Sequence, residues 1–379
     1  MQNGIDLLLT QDFGLKGKRL GLITNPTGLS SSLVSTIDIL RERFELKALF
    51  GPEHGVRGEI NAEETVESYQ DSRTGLPVYS LYKKDGENSP DPKMLEGIDL
   101  LVMDVQDSGC RFFTFISTMY KTMEVCAAAA KVFVILDRLN PINGIDVEGN
   151  IPDPAFKSFV GIAQIPQRHG MTMGELALFF NQEAKINCEL AVVPISAWRR
   201  NSFADETGIP WVQPSTNIPS VDAALLFGGT CFFEGTNISE GRGTTKPFEM
   251  IGAPFLDAEA LADSLNTQKN KFPGIIFRPV YFKPFSGKFQ GELCRGVQLH
   301  ITDRQKVRPV STGLELLHSV QEQAGDKFVW LPPKDNGKYF IDLLAGTDIL
   351  RLGRTQEYLE SVIKGAQLFE ETRQSFLLY

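Results

Sequence analysis

The chain has 379 residues, of which 42% are hydrophobic and 22% charged, and its formal net charge is -9. Length and composition are typical of a globular protein with about two domains. Nucleic-acid binding requires clustered Lys and Arg, so the acidic charge argues against a nucleic-acid partner.

The cysteine spacing and the lengths of the apolar stretches argue against zinc-binding, disulfide-rich and membrane-spanning proteins. The five cysteines show no CxxC spacing, so the sequence predicts neither a zinc site nor a disulfide framework. No stretch approaches the roughly 20 apolar residues of a membrane span, and no charged and apolar leader follows Met1. We therefore expect no membrane span.

The first part of the chain reads as repeated strand and helix units. Residues 19–24 and 46–50 are apolar runs, and residues 30–44 between them have helical periodicity. Residues 61–82 look irregular. Residues 99–104 and 132–136 are further continuous apolar runs, separated by a long helical pattern. Continuous hydrophobicity predicts a parallel sheet covered on both faces.

Polar groups come directly after these strands. The carboxyl ends of parallel strands meet at one edge of a sheet, where ligands bind, so we expect these groups to share one cleft. They are Asn25, Glu53, His54, Asp104, Gln106, Asp107, Arg111, Asp137 and Arg138. No GxGxxG follows any of the strands, which argues against a nicotinamide enzyme, and we expect no cofactor.

The segment Gly51-Pro52-Glu53-His54-Gly55 is the first candidate for chemistry. Its glycines permit positive φ and its proline fixes one dihedral angle, so a stiff loop presents an acid and an imidazole. Such a loop suits acid–base catalysis. A tight turn with solvated side chains is the alternative reading.

Two later segments carry further candidates. Arg168 and His169 precede a predicted helix over residues 176–183, and Thr172 and Glu175 have the spacing of a capping box. Residues 190–195 read as another strand. Residues 233–249 are rich in glycine and polar groups, so they form either an anion-binding nest that includes Arg242 or a solvated loop.

Residues 213–220 do not favour a regular element, and we place a domain boundary between residues 222 and 223. Beyond it, residues 275–282 and 297–301 alternate like strands, while residues 313–324 and 356–369 look helical. The second domain is therefore predicted to be mixed α+β.

Taken together, the motifs resemble the NamZ-like exo-β-N-acetylmuramidases, a peptidoglycan hydrolase family first catalogued as a domain of unknown function. The resemblance rests on ITNPTG (23–28), GPEHG (51–55), TGLPVYSLY (74–82), DVQD (104–107), RHGMT (168–172) and TNISEGRGTTKPFE (236–249). It implies an α/β fold: a Rossmann-like domain over residues 1–222, a smaller α+β domain over 223–379, and a cleft between them. It also implies release of N-acetylmuramic acid from the non-reducing ends of peptidoglycan fragments, with Glu53 as the catalytic glutamate.

Glycosidases commonly use one carboxylic acid and a second carboxylate. Glu53 is the expected general acid, with His54 as its neighbour, and Asp107 or Glu240 is the expected second carboxylate. A substrate-assisted route is also open because the substrate carries a 2-acetamido group. The lactyl carboxylate of muramic acid calls for a bidentate cation, for which Arg57, Arg111 and Arg242 are candidates. The other candidate substrate ligands are Asn25, Gln106, Arg168, His169 and Asn237.

Several alternatives stay open at this stage. The scheme requires no metal, although Glu53, His54 and Asp107 are possible ligands of one. The chain could bind muropeptides without turnover, or hydrolyse another cell-wall bond as an amidase or esterase. The latter reading lacks a GxSxG elbow. The resemblance suggests an exported parent, a cytoplasmic protein is the alternative, and the oligomeric state is open.

Overall fold

The computed structural model describes residues 1–53, 55–58, 68–82, 88–333 and 337–379. Within these residues the N-terminal part forms a seven-stranded sheet and the C-terminal part a three-stranded sheet. The first sheet is parallel apart from one edge strand, and the second is antiparallel. The predicted α/β fold with a second, smaller α+β unit is therefore confirmed.

The large sheet has the strand order β3-β4-β2-β1-β5-β6-β7. Its outermost strand β3 pairs antiparallel with β4, and the other pairings are parallel. The four strands predicted over residues 19–24, 46–50, 99–104 and 132–136 are confirmed. The strands are β1 (Arg19–Thr24), β2 (Glu45–Gly51), β3 (Tyr69–Gln70), β4 (Pro77–Ser80), β5 (Leu100–Asp104), β6 (Val132–Leu136) and β7 (Leu190–Val193).

The prediction that residues 61–82 are irregular is wrong at residues 69–70 and 77–80. β3 and β4 lie in this segment and extend the sheet beyond β2, while residues 61–67 are outside the described residues. Two and four residues are too few to show a period-two pattern. Pro77 also reads as a strand breaker, but it occupies the first position of β4, where a proline is tolerated.

Helices cover both faces of the large sheet. On one face, α1 (Gly4–Leu7) and α2 (Thr36–Arg43) pack on apolar side chains of β1, β2, β5 and β6. On the other face, α3 (Phe115–Ala128) and α4 (Met173–Glu183) pack on the alternate side chains of the same strands. The capping box of α4 is confirmed, since Thr172 accepts from the amide of Glu175 and Glu175 accepts from the amide of Thr172.

In the C-terminal part, the antiparallel sheet has the order β8-β10-β9. The predictions over residues 275–282, 297–301, 313–324 and 356–369 are confirmed as parts of β9, β10, α7 and α9. Sequence patterns did not predict α5, β8, α6 or α8. The elements are α5 (Val221–Thr230), β8 (Met250–Ala253), α6 (Ala258–Thr267), β9 (Ile275–Phe282), β10 (Cys294–Ile301), α7 (Pro309–Ala324), α8 (Phe340–Ala345) and α9 (Thr355–Arg373).

The two parts share one hydrophobic core. Phe112 of the N-terminal part packs edge-on against Phe227 and Phe232 of the C-terminal part, with ring centroids 5.9 and 5.7 Å apart. Glu148 accepts hydrogen bonds from the amides of Val310 and Ser311 at the start of α7. This packing holds the loops of the two parts in fixed positions around the cleft between them.

Candidate active site

A cavity of about 280 Å³ lies where loops of the N-terminal part meet the C-terminal part. Much of its wall is aromatic: Tyr82, Phe112, Phe113, Phe115, Phe159, Phe227, Phe248 and Phe340. Its polar groups are fewer: Glu53, Thr114, Ser215, Asn217, Glu234 and Arg242. Apolar walls with a few placed polar groups are typical of small-molecule sites.

Glu53 enters the cavity from the turn that follows β2. The amide of Gly55 donates to the carbonyl of Pro52 at 3.0 Å, and Gly55 has a φ of +74°, so the turn needs a glycine there. The hydroxyl of Thr114, on the loop before α3, donates to Oε2 of Glu53 at 2.8 Å. A turn is therefore present at Glu53, and His54 lies outside the described residues.

Glu234 is a second carboxylate in the same cavity, and sequence reasoning missed it. It lies in the 3-10 helix Cys231–Gly235 that directly follows α5. Its Oε1 accepts from Nη2 and Nε of Arg242 at 2.6 and 3.1 Å. Burial raises the pKa of Glu234, and the guanidinium of Arg242 opposes that rise. The sequence feature that could have identified Glu234 is its place in the polar segment 233–249, in which we instead selected Glu240 as the candidate.

Glu240 lies behind this pair rather than in the cavity wall. Its side chain is buried and receives a hydrogen bond of 2.8 Å from Nζ of Lys288, while Nε of Arg242 lies 3.5 Å away. The surrounding segment is packed rather than solvated. At Gly243, which has a φ of +73°, an added Cβ would lie 2.2 Å from the carbonyl oxygen of Ser286.

Asp107 and His169 form a buried pair outside the cavity wall. Nε2 of His169 lies 3.4 Å from Oδ2 of Asp107, and that oxygen also accepts from the amide of Gly109 at 2.6 Å. Nδ1 of His169 accepts from the amide of Met171 at 3.2 Å, which places the proton of the neutral ring on Nε2. Both side chains are buried, and neither lines the cavity that contains Glu53.

Arg242 is the one of the three candidate arginines for the lactyl carboxylate that lines the cavity. Arg57 instead forms a bidentate ion pair with Asp71 at 2.6 and 2.9 Å and holds the pKa of that carboxyl well below its usual range. Arg111 is fully buried, and its guanidinium donates to three backbone carbonyls. The positions of Arg57 and Arg111 do not support a role for either in binding the lactyl carboxylate of a substrate.

The remaining predicted ligands bond within the protein. Arg168 is fully buried, with Nη2 donating to the carbonyl of Ile142 at 2.6 Å. Asn237 pairs with the backbone of Val329 and Lys327. These groups do not line the cavity, so the structure does not support them as substrate ligands.

The single cleft expected along the sheet edge also needs correction. Arg138 and Asp104 form a bidentate ion pair, Asn25 accepts from Thr27, and Gln106 donates to the carbonyl of Leu139. The crevice beside them has a volume of only about 40 Å³ and is closed in part by Trp211. Asp104 and Arg138 thus bond to each other, Asn25 and Gln106 bond to nearby loop residues, and the cavity beside them is much smaller than the one that Glu53 lines.

The described part of the chain lacks several features that would point to other functions. Its residues contain no group of three His, Cys, Asp or Glu placed to hold a metal ion. The five cysteines are free and buried. None of the helices it contains combines the length and the apolar character needed to cross a bilayer.

Comparisons with known proteins agree on one family. The model of the N-terminal domain of the exo-β-N-acetylmuramidase NamZ matches residues 20–222, and that of its C-terminal domain matches residues 225–379. The peptidoglycan β-N-acetylmuramidase NamZ of Bacillus subtilis is 46% identical over 388 aligned positions, which cover 100% of this chain and 91% of that protein.

Two crystal structures of DUF1343 family proteins from Bacteroides fragilis have the same fold. BF0371 superposes with a TM-score of 0.90 at 40% identity, and BF0379 with 0.78 at 30% identity. Each alignment covers 100% of this chain and 98% of the other. With both domain models and a full-length relative matched, this chain belongs to the NamZ exo-β-N-acetylmuramidase family.

Proposed function

We propose that this protein is an exo-acting β-N-acetylmuramidase that releases N-acetylmuramic acid from the non-reducing ends of peptidoglycan fragments. The observation that carries the proposal is the position of Glu53, held by Thr114 in an aromatic cavity shared by both parts of the chain. The family and the activity named for the Bacillus subtilis relative support it.

The cavity size fits an exo-acting enzyme. Its volume of about 280 Å³ is just below the range of roughly 300–1,000 Å³ for small-molecule sites. Such a volume suits one terminal sugar rather than a long glycan segment. The faces of the aromatic side chains pack well against the apolar faces of a pyranose ring, and Ser215 and Asn217 offer hydrogen bonds to its polar substituents.

In this reaction Glu53 is the general acid. It gives its proton to the glycosidic oxygen as the bond from that oxygen to C1 of the muramic acid breaks. The hydrogen bond from Thr114 fixes the position of Oε2 of Glu53. Because the carboxyl group is rigid, this contact also limits the orientation of Oε1. Fixing the acid before the reaction lowers the entropy lost in reaching the transition state.

Arg242 is the proposed partner of the lactyl carboxylate. Its Nε and Nη2 are bonded to Glu234, and Nη1 has no hydrogen bond with any of the described residues. The planar guanidinium is suited to a carboxylate, and the cavity restricts competing water. We further propose that the domain boundary lies between residues 222 and 223, with the cavity completed by both domains.

The proposal is tested with a disaccharide of N-acetylmuramic acid linked β-1,4 to N-acetylglucosamine. We expect release of free N-acetylmuramic acid by the native protein and a loss of about 100-fold or more in Glu53→Gln. Glu124→Gln is the control, because Glu124 is exposed on α3 and leaves the cavity unchanged. Binding without turnover by the native protein would instead identify a muropeptide-binding protein.

A further inference from the structure

The cavity contains a second carboxylate whose role the family does not supply. Among the described residues of its wall, the carboxylates are Glu53 and Glu234. They come from different parts of the chain: Glu53 follows β2, whereas Glu234 follows α5. Most glycosidases act with two carboxylates that flank the bond to be cleaved, so the pair in one sugar-sized cavity needs a chemical explanation.

The contacts of Glu234 leave one of its oxygens available. Arg242 bonds to Oε1 through two nitrogens, and no described residue donates a hydrogen bond to Oε2. The side chain of Glu234 is 17% exposed, and the residue lines the cavity. Arg242 thus fixes the carboxylate and compensates its charge while one oxygen stays free.

The two carboxylates favoured by sequence have other partners. Oε2 of Glu240 accepts from Lys288, and Glu240 is 3% exposed. Asp107 is 4% exposed and faces His169. Neither lines the cavity, so neither can approach a sugar there without a rearrangement of the surrounding chain.

We propose that Glu234 is the second catalytic carboxylate, which acts in its ionised form at the anomeric carbon of the bound sugar. This assignment rests on the proposed function. During hydrolysis the bond from C1 to the glycosidic oxygen breaks, and Glu53 gives its proton to that oxygen. Water supplies the hydroxyl that ends on C1, and its remaining proton returns to the carboxylate pair. Glu234 provides negative charge next to C1, where positive charge develops in the transition state.

The charges around Glu234 give the assignment a pH signature. Burial raises the pKa of Glu234 above its usual range; the charge of Arg242 opposes this rise, the negative charge of Glu240 adds to it, and the charge of Lys288 opposes it further. Cys231, also in the cavity wall, is a thiol whose pKa burial raises, so it is uncharged. Activity that needs ionised Glu234 therefore falls as the pH drops through a pKa above the ordinary 4.5 of glutamate.

The first experiment compares two substrates of different leaving group. One is the disaccharide, and the other is 4-nitrophenyl β-N-acetylmuraminide, whose nitrophenolate needs little protonation. For Glu53→Gln we expect a loss of about 100-fold or more on the disaccharide but roughly 10-fold or less on the aryl glycoside. For Glu234→Gln we expect a loss of about 100-fold or more on both. Glutamine retains the Oε1 acceptor for Arg242, which favours a folded variant.

The second experiment leaves Glu234 in place. Glu240→Gln removes a charge that raises the pKa of Glu234, so the acid limb of the kcat/KM profile should move to lower pH. A purely structural role of Glu234 would leave that limb unmoved. The Glu124→Gln variant serves as the control for the loss of one negative charge at a distance.

The outcomes separate this assignment from the proposed function. Turnover by the native protein with Glu234→Gln active to within roughly threefold on the aryl glycoside would overturn the assignment alone. Rescue of Glu234→Gln by the better leaving group, or an unmoved acid limb in Glu240→Gln, would overturn it as well. Absence of turnover of either substrate by the native protein would overturn the proposed function and the assignment together.

Discussion

The hydroxyl of Thr114 donates a hydrogen bond of 2.8 Å to Oε2 of Glu53, across 61 positions of sequence. Glu53 lies at the end of β2, and Thr114 immediately precedes α3 on the neighbouring side of the cavity. The proposed acid is thus positioned by a residue from another strand–helix unit, through a bond whose removal has measurable consequences.

Replacement of Thr114 by valine preserves the shape of the side chain and removes the donor. We expect Thr114→Val to lower kcat on the disaccharide by roughly 10- to 100-fold, because a hydrogen bond to a carboxylate contributes about 1.5–3 kcal/mol. Thr114→Ser retains the hydroxyl and should stay near the native rate. Steady-state kinetics of the three proteins measure the effect, and equal rates would show that Glu53 is positioned without Thr114.

Arg242 should determine selectivity for the lactyl carboxylate. Arg242→Lys keeps the charge but loses Nη1, the nitrogen proposed to face the lactyl carboxylate, so we expect the ratio of kcat/KM for muramic over glucosamine substrates to fall by about 10-fold or more. Arg57→Lys is the matched control, since Arg57 pairs with Asp71 outside the cavity wall. Paired aryl glycosides of the two sugars measure the ratio. An unchanged ratio in Arg242→Lys would require another partner for the carboxylate.

Asp137 should make stability depend on pH. Burial raises its pKa from 3.8 to about 7, so between these values the folded protein binds more protons than the unfolded chain. The free energy of unfolding therefore falls as the pH rises from about 4 to about 7, by at most about 4 kcal/mol. This stabilisation is complete below the lower pKa and is lost through the upper one.

Asp137→Asn should remove that part of the pH dependence. Urea unfolding at several pH values between 4 and 8 measures it, and Asp263→Asn on the exposed face of α6 controls for the loss of a charge. A native-like slope in Asp137→Asn would mean that the four hydrogen bonds to its carboxylate keep it ionised in the folded protein.

Arg111 should stabilise the contact between the two domains rather than bind substrate. Its Nη1 donates to the carbonyls of Asn150 and Ile165, and its Nη2 donates to the carbonyl of Leu344 on α8. Lysine cannot reach all three, so Arg111→Lys should lower the free energy of unfolding by about 2–4 kcal/mol with KM unchanged. As a control, Arg199→Lys at an exposed position should lower the free energy of unfolding by less than about 0.5 kcal/mol. A raised KM in Arg111→Lys with no loss of stability would instead support Arg111 as a substrate ligand.

Some features of the site were readable in the chain itself. The glycines and proline of residues 51–55 indicated a stiff turn, and the apolar run before them indicated the strand that carries it. The turn is local, so its residues are sufficient to specify it. The capping box of Thr172 and Glu175 was predictable for the same reason. Short-range steric and hydrogen-bonding preferences suffice for such elements.

Other elements have no local sequence pattern that predicts them. α5 is buried almost throughout, so its sequence shows no alternation of polar and apolar faces, and the two residues of β3 are too few for any period. Which polar groups meet was not readable either. Asp104 and Arg138 were expected beside a ligand, yet they pair with each other. That choice depends on the separation and register of neighbouring strands.

The sequence by itself determined strands β1, β2, β5, β6 and β7 of the large sheet, the alternation of strands with helices and the loop that carries Glu53, because hydrophobic periodicity and turn chemistry act within a few residues. Only the tertiary structure decided that Glu234 and Arg242 meet Glu53 in one cavity while Asp107, Arg57 and Arg111 lie elsewhere. A buried charge needs a partner, and the packing of the whole chain decides which group that partner is. Sequence patterns of a few residues do not specify it.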